Sequence, residues 1–103
     1  MEYGTARTNI NNYTVVDYLI FTNIDDADIP FWARSAMVNK DIVVDESYCS
    51  QCAVKRSSGN YQICESGDVI MHSDAEYAVL PLDLFKEFIY SKHPMNATSI
   101  EEE

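Results

Sequence analysis

The sequence predicts an α+β fold: a small, curled, mainly antiparallel sheet of about five or six short strands, with two helices at about residues 30–38 and 81–91. Three observations predict it. Short β-branched and aromatic runs recur with only brief polar connections, too short for the crossovers that parallel strands require. Pro30 and Pro81 each open an apolar segment of helical length. The chain has 103 residues, 47% hydrophobic and 12% aromatic, enough for one core and not for two. It is therefore read as a single domain over residues 1–103, with loosely ordered termini at 1–12 and 93–103.

The elements follow in order. Residues 1–12 are polar, with Gly4 and a run of Thr and Asn, and read as a loosely held start. Residues 13–22 (YTVVDYLIFT) give the strongest strand signal, so this strand is expected at the sheet centre with both faces at least partly covered. An acidic loop over 23–28 leads to the first helix, where Pro30 sits in the first turn and Asp26 and Asp28 complement the positive helix end. Phe31, Ser35 and Val38 fall on one side of it, Trp32, Ala36 and Met37 on an adjoining one, and Asn39 and Lys40 end it.

Residues 42–44 begin further sheet, and 51–55 with 61–64 read as a hairpin across the turn formers Ser57, Ser58, Gly59 and Asn60. The block at 67–90 (GDVIMHSDAEYAVLPLDLFKEFIY) holds two short strands around a polar 72–76 turn, and then the second helix. Pro94 stops that helix, and the acidic end is expected to be mobile. The helices should lie on one face of the sheet or at its ends. Phe31, Trp32, Phe85, Phe88 and Tyr90 have core-like spacing on them.

Charge narrows the function classes. Seven basic against seventeen acidic side chains give a net charge of −10. A field of that sign repels phosphates and anionic lipid heads, which disfavours direct nucleic-acid or membrane binding and favours basic partners. No run approaches the roughly 18 apolar residues of a membrane span, and no secretory leader pattern opens the chain, so a cytoplasmic setting is expected. Three cysteines are an odd number, which argues against a disulfide framework.

Val15, Val16, Asp17, Tyr18, Leu19, Ile20, Phe21 and Thr22, then Ile29, Pro30, Phe31, Trp32 and Ala33, form two blocks of a recognisable order. Ser66, Gly67, Asp68, Val69 and Ile70 with Glu76, Tyr77, Pro81, Phe85 and Tyr90 or Ile89 form a third. Together these blocks resemble a family of small uncharacterised phage and prophage proteins. Its members begin with a strand of the type P-V-x-V-E-A-x-Q-W, continue to a P-x-W helix and end with P-G-D-W/Y-I…G-E-x-Y…P-x-x-F-x-x-x-Y. Ser66 stands where that family has proline. The resemblance implies a bacterial host cell and a small α+β fold, and it implies no activity.

Four groups of residues carry candidate chemistry. Cys49 and Cys52 form a C-x-x-C pair that Cys64 and His72 could complete as a zinc site with three thiolates and one imidazole, although a matched second close-spaced pair is missing. His72 and His93 have no serine or cysteine that the sequence obliges to be near, so no nucleophile–base pair is expected. Loop acids cluster at Asp25, Asp26 and Asp28, at Asp45 and Glu46, and at Asp74 and Glu76; they are a solvated surface or an imitation of nucleic-acid charge. The three glycines form no phosphate-binding loop, and no cofactor is expected.

The expected protein is a non-enzymatic, phage-encoded accessory protein. It would bind and inhibit a host nucleic-acid-handling or defence protein, a restriction, CRISPR or transcription component with a basic surface, through those seven acids. The alternatives are a small-ligand (nucleotide or metabolite) binding or sequestering protein, with a homo-oligomer possible, and a small zinc-binding module.

Overall fold

The computed structural model describes residues 1–8, 15–23, 28–44, 50–74 and 76–95. It is α+β, with eight strands and two helices: β1 (Tyr3–Thr8), β2 (Val15–Ile20), α1 (Phe31–Val38), β3 (Ile42–Val44), β4 (Gln51–Lys55), β5 (Tyr61–Glu65), β6 (Val69–Ser73), β7 (Glu76–Leu80), α2 (Leu82–Phe88) and β8 (Ile89–Pro94). The strands form two antiparallel sheets, a five-stranded one ordered β7-β6-β2-β1-β8 and a three-stranded one ordered β3-β4-β5. The strand count thus exceeds the five or six expected, and one curled sheet is replaced by two.

β2 stands at the centre of the larger sheet, as its composition predicts. Successive residues of a strand point to opposite faces, so its alternation divides the interior into two cores. Leu19, with the adjoining Phe21, Ile70 of β6 and Val79 of β7, meets Ala33 and Ala36 of α1 and Ile42, Cys52, Val54 and Cys64 of the smaller sheet. Val16 and Tyr18, with Ala6, Val69 and Met71, meet Phe85 of α2. The helices therefore pack on opposite faces of the large sheet, which corrects the expectation of one face or the ends. Tyr18 and Phe85 carry the contact on the α2 side, with ring centroids 5.5 Å apart.

α1 starts after Pro30 and lays Ala33 and Ala36 against the sheet, small side chains that let the helix approach closely. Lys40, with φ 67°, ends it in a left-handed residue, and the amides of Asn39 and Asp41 bond back to Ser35 and Ala36. Of the aromatics expected in the core, only Phe85 is fully buried; Trp32 is half-buried, and Phe31, Phe88 and Tyr90 are exposed. Phe31 and Val38 face solvent because Ala33 and Ala36 define the inward side.

Two corrections concern the chain's two outermost strands. Tyr3–Thr8 is not loosely held: it is β1, paired on both sides by β2 and β8. Its inward positions are the small residues Gly4, Ala6 and Thr8, which explains the weak strand signal. The second helix ends at Phe88 rather than at about 91, and Ile89 turns extended (φ −97°, ψ 144°) to begin β8, which carries residues 93 and 94 into the sheet. A Cβ at Gly4 would fall on the carbonyl oxygen of His93 and 2.8 Å from Pro94 Cα, so glycine there permits β8 to dock. Thr8 Oγ1 donates to the Phe88 carbonyl at 2.9 Å and satisfies a buried hydroxyl at the same joint.

Glu2 ties these strands together. Its Oε2 accepts the Tyr18 hydroxyl at 2.6 Å and the Lys92 ammonium at 2.9 Å. Burial alone would raise the Glu2 pKa, but the Tyr18 hydrogen bond and Lys92 outweigh it and hold the carboxyl below its usual 4.5. Burial and the Glu2 carboxylate together push the Tyr18 phenol far above its usual range.

Gly4→Ala is expected to lower stability in urea by about 1–3 kcal/mol and to speed amide exchange along Ile89–Pro94, because the added carbon displaces β8. Gly59, with nothing within 4 Å of its would-be Cβ and a φ of 95°, should respond to alanine only through backbone strain and leave β8 protection unchanged. Glu2→Gln should lower stability at neutral pH. A depressed carboxyl stabilises the fold above its unfolded value of 4.5 and ceases to do so as pH falls through its folded value, so the gap to wild type should close in acid. Parallel denaturation series at several pH values read this directly.

Candidate binding site

One row of direct partners crosses all five strands of the large sheet. Tyr77 on β7 faces His72 on β6, His72 faces Asp17 on β2, Asp17 faces Thr5 on β1, and Thr5 faces His93 on β8. Residues in one such row share a face, here the face that carries α1. His72 Nδ1 lies 3.2 Å from Asp17 Oδ2, and since an ionised carboxylate only accepts, the imidazole donates from Nδ1. Trp32 reaches down from α1 and stacks on the His72 ring, with centroids 5.0 Å apart and planes 12° off parallel. Tyr77 stacks on the same ring at 5.0 Å, while Trp32 and Tyr77 stand 6.4 Å apart, so the three rings form a triangle rather than a sandwich. Burial first, and the Asp41 carboxylate second, push the Tyr77 phenol above its usual range and keep it protonated.

Beside this triangle lies a surface pocket of about 410 Å³. Tyr3, Trp32 and Asp17 form its polar-tipped wall, Ile29 and Pro30 add apolar surface, and Phe31 and Met95, both largely exposed, line it from solvent-facing positions. Tyr3 donates its hydroxyl to Asp28 Oδ1 at 3.2 Å. Desolvation first, then the Asp28 charge and hydrogen bond, raise the Tyr3 phenol's pKa against a smaller opposing effect of Arg34. Among the described residues, Asp17 is the one charged residue lining the pocket. A second, smaller depression of about 240 Å³ lies on the smaller sheet, where Val43, Ala53 and Ile63 form a cross-strand apolar row.

The residues singled out from sequence fall in several places. Asp28 reaches the pocket through Tyr3. Asp74, in a left-handed conformation at φ 52°, and Glu76 stand exposed together at the β6–β7 turn. Asp25, Asp26, Asp45, Glu46 and Cys49 lie outside the described residues. Cys52 and Cys64 face each other across β4 and β5 as buried free thiols, and the hydrogen bond to Cys52, with burial, pushes the Cys64 thiol up. His72 is not brought to them: its ring is engaged by Asp17, Trp32 and Tyr77, and no three His, Cys, Asp or Glu converge on a metal-sized site among the described residues.

Sequence reasoning missed Tyr3 and Asp17 as pocket-lining residues. A signal for Asp17 existed, since it is the lone acid inside the apolar run 13–22, where a strand covered on both faces rarely carries a charge. No helix among the described residues is long and apolar enough to cross a membrane. The fold and this pocket define a small α+β protein with a surface pocket lined by aromatic residues and the Asp17 carboxylate. None of the family models, curated proteins or solved structures compared with the chain matches it.

His72→Ala should unseat Trp32 and Tyr77 together. The expected loss is about 1–2 kcal/mol in thermal or urea unfolding, with a red-shifted emission from Trp32, the single tryptophan of the chain. Unchanged emission would show that the stacking does not hold the indole in solution.

Proposed function

We propose that this protein is a stoichiometric binding protein for a basic partner: a phage-encoded accessory protein that engages and inhibits a host protein which handles or cuts nucleic acid. The observation that carries the reading is the charge, seventeen acidic against seven basic side chains. Much of it lies outward, at Asp28, Glu65, Asp74, Glu76, Asp83 and Glu87. Proteins that bind nucleic acid present basic grooves, and an acidic surface enters such a groove by the same electrostatics that draws DNA there. The phage setting is supported by the block resemblance at residues 15–22, 29–33 and 66–90 alone. Inhibition would follow from occupying the groove, without chemistry by the chain's own residues.

The second reading, a small-ligand binder, is favoured by the 410 Å³ pocket, which falls in the usual range for such sites, about 300–1,000 Å³. A nucleotide is a poor occupant of it, because Asp17, the one charged lining residue among the described residues, is a carboxylate.

Asp74→Lys combined with Glu76→Lys reverses the charge of an exposed turn without touching either core. The pair should weaken capture of a basic bacterial protein from lysate by about tenfold or more, and raising salt from about 0.05 to 0.5 M should weaken the wild-type complex likewise. Nuclease treatment of the lysate should leave capture unchanged. A complex indifferent to both charge reversal and salt would overturn the electrostatic reading.

A further inference from the structure

We propose that the pocket between β1, β2 and the start of α1 is a receptor for an organic cation, and that its cargo is the guanidinium of an arginine side chain presented by a partner. Its walls are three aromatic rings, Tyr3, Phe31 and Trp32, with the Asp17 carboxylate among them. That combination matches one ligand class. The ring faces are negative and attract a cation, most strongly at Trp and Tyr, while a carboxylate inside the same cavity supplies the hydrogen-bond acceptor and the counter-charge. An anion would meet the carboxylate, and a neutral apolar group would leave it unpaired.

Two of the three aromatic walls are held before any ligand arrives. The Trp32 indole is stacked 5.0 Å from His72, and the Tyr3 hydroxyl is bonded to Asp28. Asp17 commits Oδ2 to His72, while Oδ1 has no hydrogen-bond partner among the described residues, and its side chain is 41% exposed. One carboxylate oxygen is thus fixed in orientation by the imidazole and the other is presented to a ligand. Pre-set groups of this kind bind with less ordering cost. Arg34 acts electrostatically on Tyr3 but does not line the pocket, and Asp17 and Asp28 together outnumber it. A planar guanidinium suits the site better than an ammonium, because it stacks flat on an indole while donating from its edge to Oδ1.

The source of the cation rests on the basic-partner reading above; the chemistry of the pocket does not. The test uses the whole chain and its single tryptophan as reporter. N-acetyl-arginine amide, N-acetyl-lysine amide and N-acetyl-citrulline amide, the neutral isostere of the first, are titrated while Trp32 emission is followed. Arginine amide should perturb the emission saturably, lysine amide more weakly, and citrulline amide about tenfold more weakly or not at all. Asp17→Asn should weaken the arginine response about tenfold or more. Phe31→Ala, at a residue 82% exposed and therefore safe for folding, should weaken it severalfold. Citrulline binding as well as arginine, or binding unaffected by both substitutions, would overturn the site. Two further results separate the readings. If the basic partner is captured equally well by the Asp17→Asn protein, the pocket is not its anchor and this inference fails while the partner reading stands. If no basic partner is captured but arginine amide still binds in an Asp17-dependent way, the cation site stands and the partner reading fails.

Discussion

The central strand β2 must bury both of its faces, and nearly everything else in the structure answers to that requirement. Val16, Tyr18 and Ile20 belong to the side covered by α2, while Leu19 and the adjoining Phe21 belong to the side covered by α1 and the small sheet. A strand with one wet face would need one covering layer; this one needs two, and the chain supplies them on either side of the β6–β7 hairpin. The requirement also fixes register. A slip by one residue would carry Asp17 into the Phe85 core, where an unpaired carboxylate is strongly unfavourable, and would bring Tyr18 to the α1 side. Asp17 is tolerated because it stands beyond the apolar part of its face, where His72 partners it and the pocket opens.

How much of this was legible from residues depended on whether the signal was local. β3 and β4 were readable to the residue, and β5 to within one, because apolar alternation and the Ser57–Asn60 turn formers mark them directly. Pro30 and Pro81 placed both helix starts. β1 was not legible, since its inward Gly4, Ala6 and Thr8 have little hydrophobic weight; they are small because β8 and α2 press close. The end of α2 was misplaced because Phe88, Ile89 and Tyr90 suit a helix or a strand equally. Pairing with β1 decides between them, and that pairing is remote in sequence. The pocket failed to show for the same reason. Tyr3, Asp17 and Trp32 lie on three separate elements and meet only through strand register and the docking of α1.

The His72 ring is where core and site share an interaction. It closes the end of the α1-side core by stacking between helix and sheet, and it orients the carboxylate that faces the pocket. Packing energy in one layer thereby sets geometry in the other. The buried thiols Cys52 and Cys64 sit deeper in that core and do not line the pocket.

The pairing of β1 with β8 bears on how the molecule is assembled. β1 leaves the ribosome before the other strands of this fold, and β8 follows them all. Until β8 arrives, one edge of β1 presents bare amides and carbonyls, and the Glu2 carboxylate lacks Lys92. Contacts of such long sequence separation form slowly, because a long loop must close before they contribute. The large sheet is therefore finished last at the edge where it was begun. An open strand edge is a template for other chains, so a newly made molecule is most exposed to faulty association during that interval.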